Sequence, residues 1–165
     1  MAAVEFRLCD VLVDRLLPNH DKRVERERDI ALRDLIETNS FMPVGHVGGP
    51  YCLKLCLASS RLILRITTNY GTHVATQELS LVPFRRLVRD YTRICESYYE
   101  AIRSPGPEKL EAIDIGRQTI HNKAAELVRY HLSSKVIVDT ETARRLFTLI
   151  YTLIARNAGH RVLLS

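Results

Sequence analysis

An α+β fold is what this 165-residue sequence predicts: a small antiparallel β-sheet packed on one face by four or five α-helices. Three observations lead there. YCLKLCLA (51–58) and RLILRITT (61–68) are apolar at alternate positions and are joined by only Ser59–Ser60, the signature of a β-hairpin. PFRRLVRDYTRICESYYEAIRS (83–104) repeats its apolar residues at helical spacing, with its charges on the other face. TARRLFTLIYTLIAR (142–156) is apolar around more than half of a helix, the pattern of a central helix.

Taken in order, residues 4–13 open as a strand, with Val4, Phe6 and Leu8 alternating against Glu5, Arg7 and Cys9. After Pro18, DKRVERERDIALRDLIET (21–38) is a helix. Val24, Ala31 and Leu35 form its apolar stripe, and Asp29–Arg33 and Arg33–Glu37 sit four residues apart. Asn39–Ser40 and then MPVGHVGGP (42–50), rich in glycine and proline, end it in a loop. The two-residue connection of the hairpin sets Leu57 opposite Leu62, Leu55 opposite Leu64 and Leu53 opposite Ile66. All six then point to one side, and a slip of one residue would undo that agreement. NYGT (69–72) returns the chain into a third antiparallel strand, 73–82.

The rest is mostly helical. A helix from Pro83 runs to about Arg103, and SPGP (104–107) breaks it. The next begins at Pro107, a favoured first position. Gly116 lies in its middle, so one helix or two meeting near IGRQTIHN (115–122) both fit the pattern. VIV (136–138) reads as a short strand, and Asp139 or Thr140 caps the last helix. With no internal repeat or low-complexity tract, the chain reads as a single domain, 1–165.

A net charge of +5 favours anionic partners mildly, and 46% hydrophobic residues suffice for a core without disulfide or metal staples. MAAVEFRLCDVLVDR carries Glu5, Arg7 and Asp10 inside its apolar pattern, unlike a signal peptide. LFTLIYTLIA (146–155) is about half a membrane span. These features point to a cytoplasmic protein away from membranes, in which the four cysteines are free thiols.

Two basic groups stand out. In the helix at 83–104, Phe84, Leu87, Val88, Tyr91, Ile94, Cys95, Tyr98 and Ile102 share one broad face, which assigns the tyrosines mainly to the core. Arg85, Arg86 and Arg89 crowd its start while Glu96 and Glu100 lie towards its end, the reverse of what the helix dipole favours. Val82 offers no capping oxygen, so these arginines beside an uncapped start form a candidate anion or partner site. The plainer reading is that Ser80 caps, and that Arg86–Asp90 and Arg93–Glu96 pair along the face. On the non-leucine face of the hairpin, Lys54 sits opposite Arg65, with Arg61 two positions along. Like charges placed so are destabilising, and an acidic group should approach. Glu78, diagonal to Arg61 and Arg65, is the internal candidate; a phosphate or an acidic partner is the external one.

Other chemistries find little support. Cys52 and Cys56 lie about 13 Å apart along a strand, too far to share a metal ion. The histidines form no HExxH pair, and no metal or cofactor is implied. There is no GxSxG and no GxxxxGK[ST]; GHVGGP, without a lysine or a following helix, reads as a flexible loop. Cys95 is a core thiol by its helical phase. Only Arg117, His121 and Asn122 look catalytic, as a general base with an orienting amide, with a helix cap at Asn122 as the plainer reading.

GPYCLKL, LSLVPFRRLVRDY, ICESYYEAIR, EAIDIGR, the His121–Asn122 pair and TARRLFTL together resemble an uncharacterised, mainly alphaproteobacterial protein family, UPF0262. The resemblance spans nearly the whole chain. It implies a single-domain bacterial cytoplasmic protein and supplies no activity, cofactor or catalytic residue. Composition and charge put first a non-enzymatic binding or adaptor protein whose basic surface meets an anionic macromolecule: RNA, a ribonucleoprotein or an acidic protein. Second comes a small enzyme acting on a phosphorylated or carboxylated metabolite. Third is a structural homo-oligomer using the apolar tail VLLS (162–165) and the sheet face.

Overall fold

A computed structural model describes residues 5–14, 21–103 and 106–156. The elements run β1 (Leu8–Val13), α1 (Lys22–Glu37), β2 (Phe41–Pro43), β3 (Tyr51–Ala58), β4 (Arg61–Thr68), β5 (His73–Ser80), α2 (Arg85–Arg103), α3 (Pro107–Leu132), β6 (Val136–Val138) and α4 (Thr140–Arg156). The fold is α+β, with a four-stranded sheet in the order β1-β3-β4-β5 and a two-stranded sheet of β2 and β6.

The hairpin pairs as its leucines require, with Leu57 on Leu62, Leu55 on Leu64 and Leu53 on Ile66, and β5 adds antiparallel to β4. One expectation fails: the sheet is mixed, because β1 lies parallel to β3. A parallel neighbour needs a long crossover, usually a helix, and α1 provides it between the two strands. Nothing in the alternation of a lone strand reports its direction. β1 begins later than expected, at Leu8: Val4 lies outside the described residues, and Glu5, Phe6 and Arg7 precede the strand.

The segment expected as loop after α1 contains β2, whose Phe41, Met42 and Pro43 pair antiparallel with Val138, Ile137 and Val136. Three residues are too few to show a period. Asn39 closes this region: its Oδ1 accepts from Leu8 N–H at 2.7 Å, and its Nδ2 donates to Leu8 O at 2.9 Å and Leu35 O at 2.8 Å. One amide thus joins the end of α1 to the start of β1. GHVGGP is a loop, as expected, and it packs closely at two points. A Cβ on Gly49 would lie 1.8 Å from the Glu5 carbonyl oxygen, and the Tyr51 hydroxyl meets His46 Nδ1 at 3.0 Å.

Residues Val82–Phe84 form a 3₁₀ turn ahead of α2. α3 is one continuous helix of 26 residues, and Gly116 does not divide it. A Cβ there would sit 2.5 Å from Ile94 Cδ1, so the glycine serves the close crossing of α2 over α3. Asp139 Oδ1 accepts from Thr142 N–H at 2.9 Å and caps α4.

The core lies between the leucine face of the sheet and the helices. Leu53, Leu55, Leu62, Leu64, Ile66 and Leu79 are buried, as are Val128 and Leu132 of α3 and Leu146 and Ile150 of α4. Burying one such side chain is worth about 1.5–3 kcal/mol, so this layer dominates the stability. In α1 the buried stripe includes Arg28, one turn after Val24. Its guanidinium reaches Asp29 at 2.9 Å and Glu25 at 3.5 Å. Among the described residues no helix is long and apolar enough to cross a membrane.

Candidate functional site

Helices α1, α3 and α4 do not close completely on one another. Between them lies a cleft of about 300 Å³, with Tyr91 of α2 at its inner wall. α1 contributes Glu27, Ile30 and Asp34, α3 contributes Asp114, Arg117 and His121, and α4 contributes Glu141, Arg144, Arg145 and Thr148. A second hollow of about 330 Å³ adjoins it and shares Glu27, Ile30 and Arg117.

His121 forms the inner wall together with Tyr91. Its ring stacks on Tyr91, with centroids 5.3 Å apart, and meets the edge of Phe147 at 5.7 Å. Thr148 Oγ1 donates to the Arg144 carbonyl at 3.2 Å and lies 3.1 Å from His121 Nε2. Since the hydroxyl proton is already used, Nε2–H is the donor to Thr148, and Nδ1 carries the lone pair. Nδ1 is buried without a hydrogen-bond partner among the described residues. Burial, and then the charges of Arg144, Arg117 and Arg145, push the imidazole down to about 4, so it is neutral at physiological pH.

Glu27 is the opposite case. Its Oε1 accepts from the Tyr91 hydroxyl at 2.5 Å. Burial raises its pKa, against the lowering effects of that hydrogen bond and of Arg117. Burial first, and the Glu27 charge next, push the Tyr91 hydroxyl up. The inner wall thus holds a carboxyl group drawn towards its protonated form and an imidazole held in its neutral form.

Three guanidinium groups ring this wall, each with only long contacts to carboxylates among the described residues. Arg117 lies 3.6 Å from Asp114, Arg145 lies 3.5 Å from Asp34, and Arg144 bonds Asn122 Oδ1 at 2.9 Å with Glu141 at 4.0 Å. Arg145 Nε is buried without a hydrogen-bond partner among the described residues. Aromatic rings extend the cationic rim: Arg117 lies 5.2 Å from the Tyr98 ring centroid, and Arg23 lies 4.2 Å from that of Tyr99. Tyr98, placed on the apolar face of α2 by phase, and Tyr99 beside it therefore meet arginines of neighbouring helices.

The structure brings two of the sequence candidates together. Arg117 and His121 line the cleft, and Asn122 stands inside α3, where it orients Arg144 rather than capping a helix. At the start of α2 the contact is the one in the plainer reading, with Ser80 Oγ accepting from Val82 N–H at 3.3 Å, and the 3₁₀ turn leads directly into the helix. Arg86 and Arg89 are exposed, while Arg85 is half-buried and engaged. The Arg86–Asp90 and Arg93–Glu96 pairs do not close among the described residues, and Ile102 is exposed while Ala101 takes the buried position. On the outer sheet face Lys54 is opposite Arg65, and Arg61 pairs with Glu78 at 2.7 Å. Among the described residues no three or more metal-ligating side chains converge.

Sequence reasoning missed Glu27, Tyr91 as its partner, Arg144, Arg145 and Thr148. A signal existed in α4, where the Arg144–Arg145 pair stands directly ahead of the apolar run 146–155; α1 offered none, since Glu27 is one acid among many.

Residues 5–156 match the model of an uncharacterised protein family, UPF0262. A UPF0262 protein of Rhizobium etli is 54% identical over 156 residues, covering 94% of this chain and 99% of the relative. A relative in Agrobacterium fabrum is 51% identical over 94% of this chain and 99% of its own length. One in Brucella anthropi is 54% identical over 92% and 96%. No solved structure matches. The chain belongs to the UPF0262 family.

Proposed function

We propose that the cleft between α1, α3 and α4 binds a small carboxylated or phosphorylated metabolite. The observation that carries this reading is the ring of Arg117, Arg144 and Arg145 around a neutral His121, with carboxylates among the described residues no nearer than 3.5 Å to any of the three. Guanidinium groups recognise planar carboxylates and phosphates through paired hydrogen bonds. Loose internal ion pairs leave those donors to a ligand, whereas short bidentate pairs would consume them. Glu27 and His121, whose surroundings push them in opposite directions, are the groups that would move a proton on such a ligand. A cleft of about 300 Å³ suits a metabolite rather than a polymer.

The test is an NMR titration of the full chain with inorganic phosphate and with citrate. Shifts should concentrate at Arg117, His121, Arg144 and Arg145, and Arg145→Ala should weaken binding at least about tenfold, the loss of one charge-assisted pair. Shifts scattered over the surface, or none at all, would overturn the proposal.

A second reading retains the cytoplasmic adaptor with a basic surface. It is favoured by the exposed Arg86 and Arg89, which no ion pair engages among the described residues. Counterion release would make binding to RNA or an acidic protein fall steeply with salt, and Arg86→Glu with Arg89→Glu would abolish it. Arg85 is the wrong choice for that experiment, since its half-buried side chain takes part in the fold. The homo-oligomer reading rested partly on the tail 162–165, which lies outside the described residues.

A further inference from the structure

The outer face of the sheet, turned away from the helices, carries three of the four cysteines: Cys9 on β1, and Cys52 and Cys56 on β3. The parallel pairing that the sequence did not disclose brings two of them together. Cys9 and Cys52 are free thiols, both half-buried, with sulfurs 3.8 Å apart. β1 and β3 are hydrogen-bonded neighbours, and the register shifts between Leu8 and Asp10, placing Cys9 in the irregularity beside Cys52. Neighbouring strands fall within the Cα separation that a disulfide spans. From 3.8 Å, side-chain rotation alone needs to supply the last approach to bonding distance, about 2.0 Å.

We propose that Cys9 and Cys52 are a modification site: a reversible intramolecular disulfide formed by exchange with a low-molecular-weight disulfide such as oxidised glutathione. In the first step the Cys9 thiolate attacks one sulfur of the oxidant, forming a mixed disulfide and releasing one thiol. In the second, Cys52 loses its proton and attacks the Cys9 sulfur, releasing the second thiol. The protein gives up two electrons and two protons, and the oxidant gains both. Cys52 enters second because burial, and then the neighbouring Cys9 and Asp10, push its thiol up to about 11, leaving little thiolate at neutral pH. Uncatalysed exchange of this kind runs over minutes to hours. Cys56, four residues further along β3, is about 13 Å from Cys52 and stays out of the bond. Cys95 is buried in the core beside Tyr91 and does not react.

Trypsin separates the four thiols cleanly. Cleavage after Arg7, Arg15, Arg33, Lys54, Arg61, Arg93 and Arg103 leaves Cys9, Cys52, Cys56 and Cys95 on four different peptides. The full chain is incubated with oxidised glutathione, alkylated under denaturing conditions, digested without reductant and read by mass spectrometry. The expected product links peptides 8–15 and 34–54, and the count of free thiols falls from four to two. Cys52→Ser should leave Cys9 as the stable mixed disulfide with glutathione. Full alkylation of both cysteines in the wild type would overturn the proposal, as would a linkage through Cys56 or between two chains.

Discussion

Replacing His121 with glutamine tests the electrostatics of the cleft before any ligand is known. The amide keeps a donor near Thr148 but cannot titrate. In the wild type the imidazole is pushed down to about 4 from an ordinary value of 6.5, by burial and by Arg144, Arg117 and Arg145. The unfolded chain therefore takes up a proton at this position well before the folded one does. Stability from His121 is complete above about pH 6.5 and is lost as pH falls towards 4. Each pKa unit is worth about 1.36 kcal/mol, so the full loss is about 3 kcal/mol. Glu27 acts in the opposite sense: its raised pKa gives stability present below 4.5 that is lost as pH rises through its folded value. The wild-type profile mixes the two effects, and the difference between wild type and His121→Gln isolates one. Urea unfolding at neutral pH and at about pH 4 should show the wild type losing about 3 kcal/mol more than the variant between the two conditions. An NMR titration of the His121 ring protons should show no midpoint near 6.5. Parallel stability profiles, or an imidazole titrating near 6.5, would refute the reasoning and return His121 to an ordinary solvated residue.

Two further outcomes probe the frame that holds the site. Asn39→Ala removes three hydrogen bonds and leaves the Leu8 amide, on a fully buried residue, without its acceptor; the cost should be about 2–3 kcal/mol by urea unfolding, with faster hydrogen exchange at Leu8. A loss below about 1 kcal/mol would mean that water replaces the amide at little cost. Gly49→Ala should cost about 3 kcal/mol or more, because the new methyl would fall 1.8 Å from a backbone oxygen and 2.7 Å from the Tyr51 ring. Gly45→Ala, with open space around it and only its φ of 77° to strain, should cost about 1–2 kcal/mol, and a reversed order in thermal melts would contradict the geometry.

Much of this molecule is written locally. The alternation in 51–58 and 61–68, closed by two serines, leaves one register that puts six apolar side chains on one side, and that register is observed. The helical phase read over 83–104 buries Phe84, at the end of the 3₁₀ turn, with Val88, Tyr91 and Cys95 of α2. These features depend on neighbours within a turn or a strand, which is why they are legible.

Other features depend on which distant segments meet. The parallel seating of β1 follows from the crossover of α1, and β2 becomes a strand only because β6 arrives to pair with it. Gly116 looks like a helix breaker until Ile94 is seen against it. The cleft is the clearest case. Arg117 and His121 could be picked out as adjacent turns of one helix, but Glu27 and Arg145 come from helices more than a hundred residues apart in sequence. Sequence alone determined the fold class, the hairpin register and the faces of the helices, because those follow from short-range periodicity and burial. Tertiary structure alone decided that a neutral imidazole, a buried carboxyl group and three arginines share one cleft, because an ionisable group takes its charge state from the burial and charges that packing places around it.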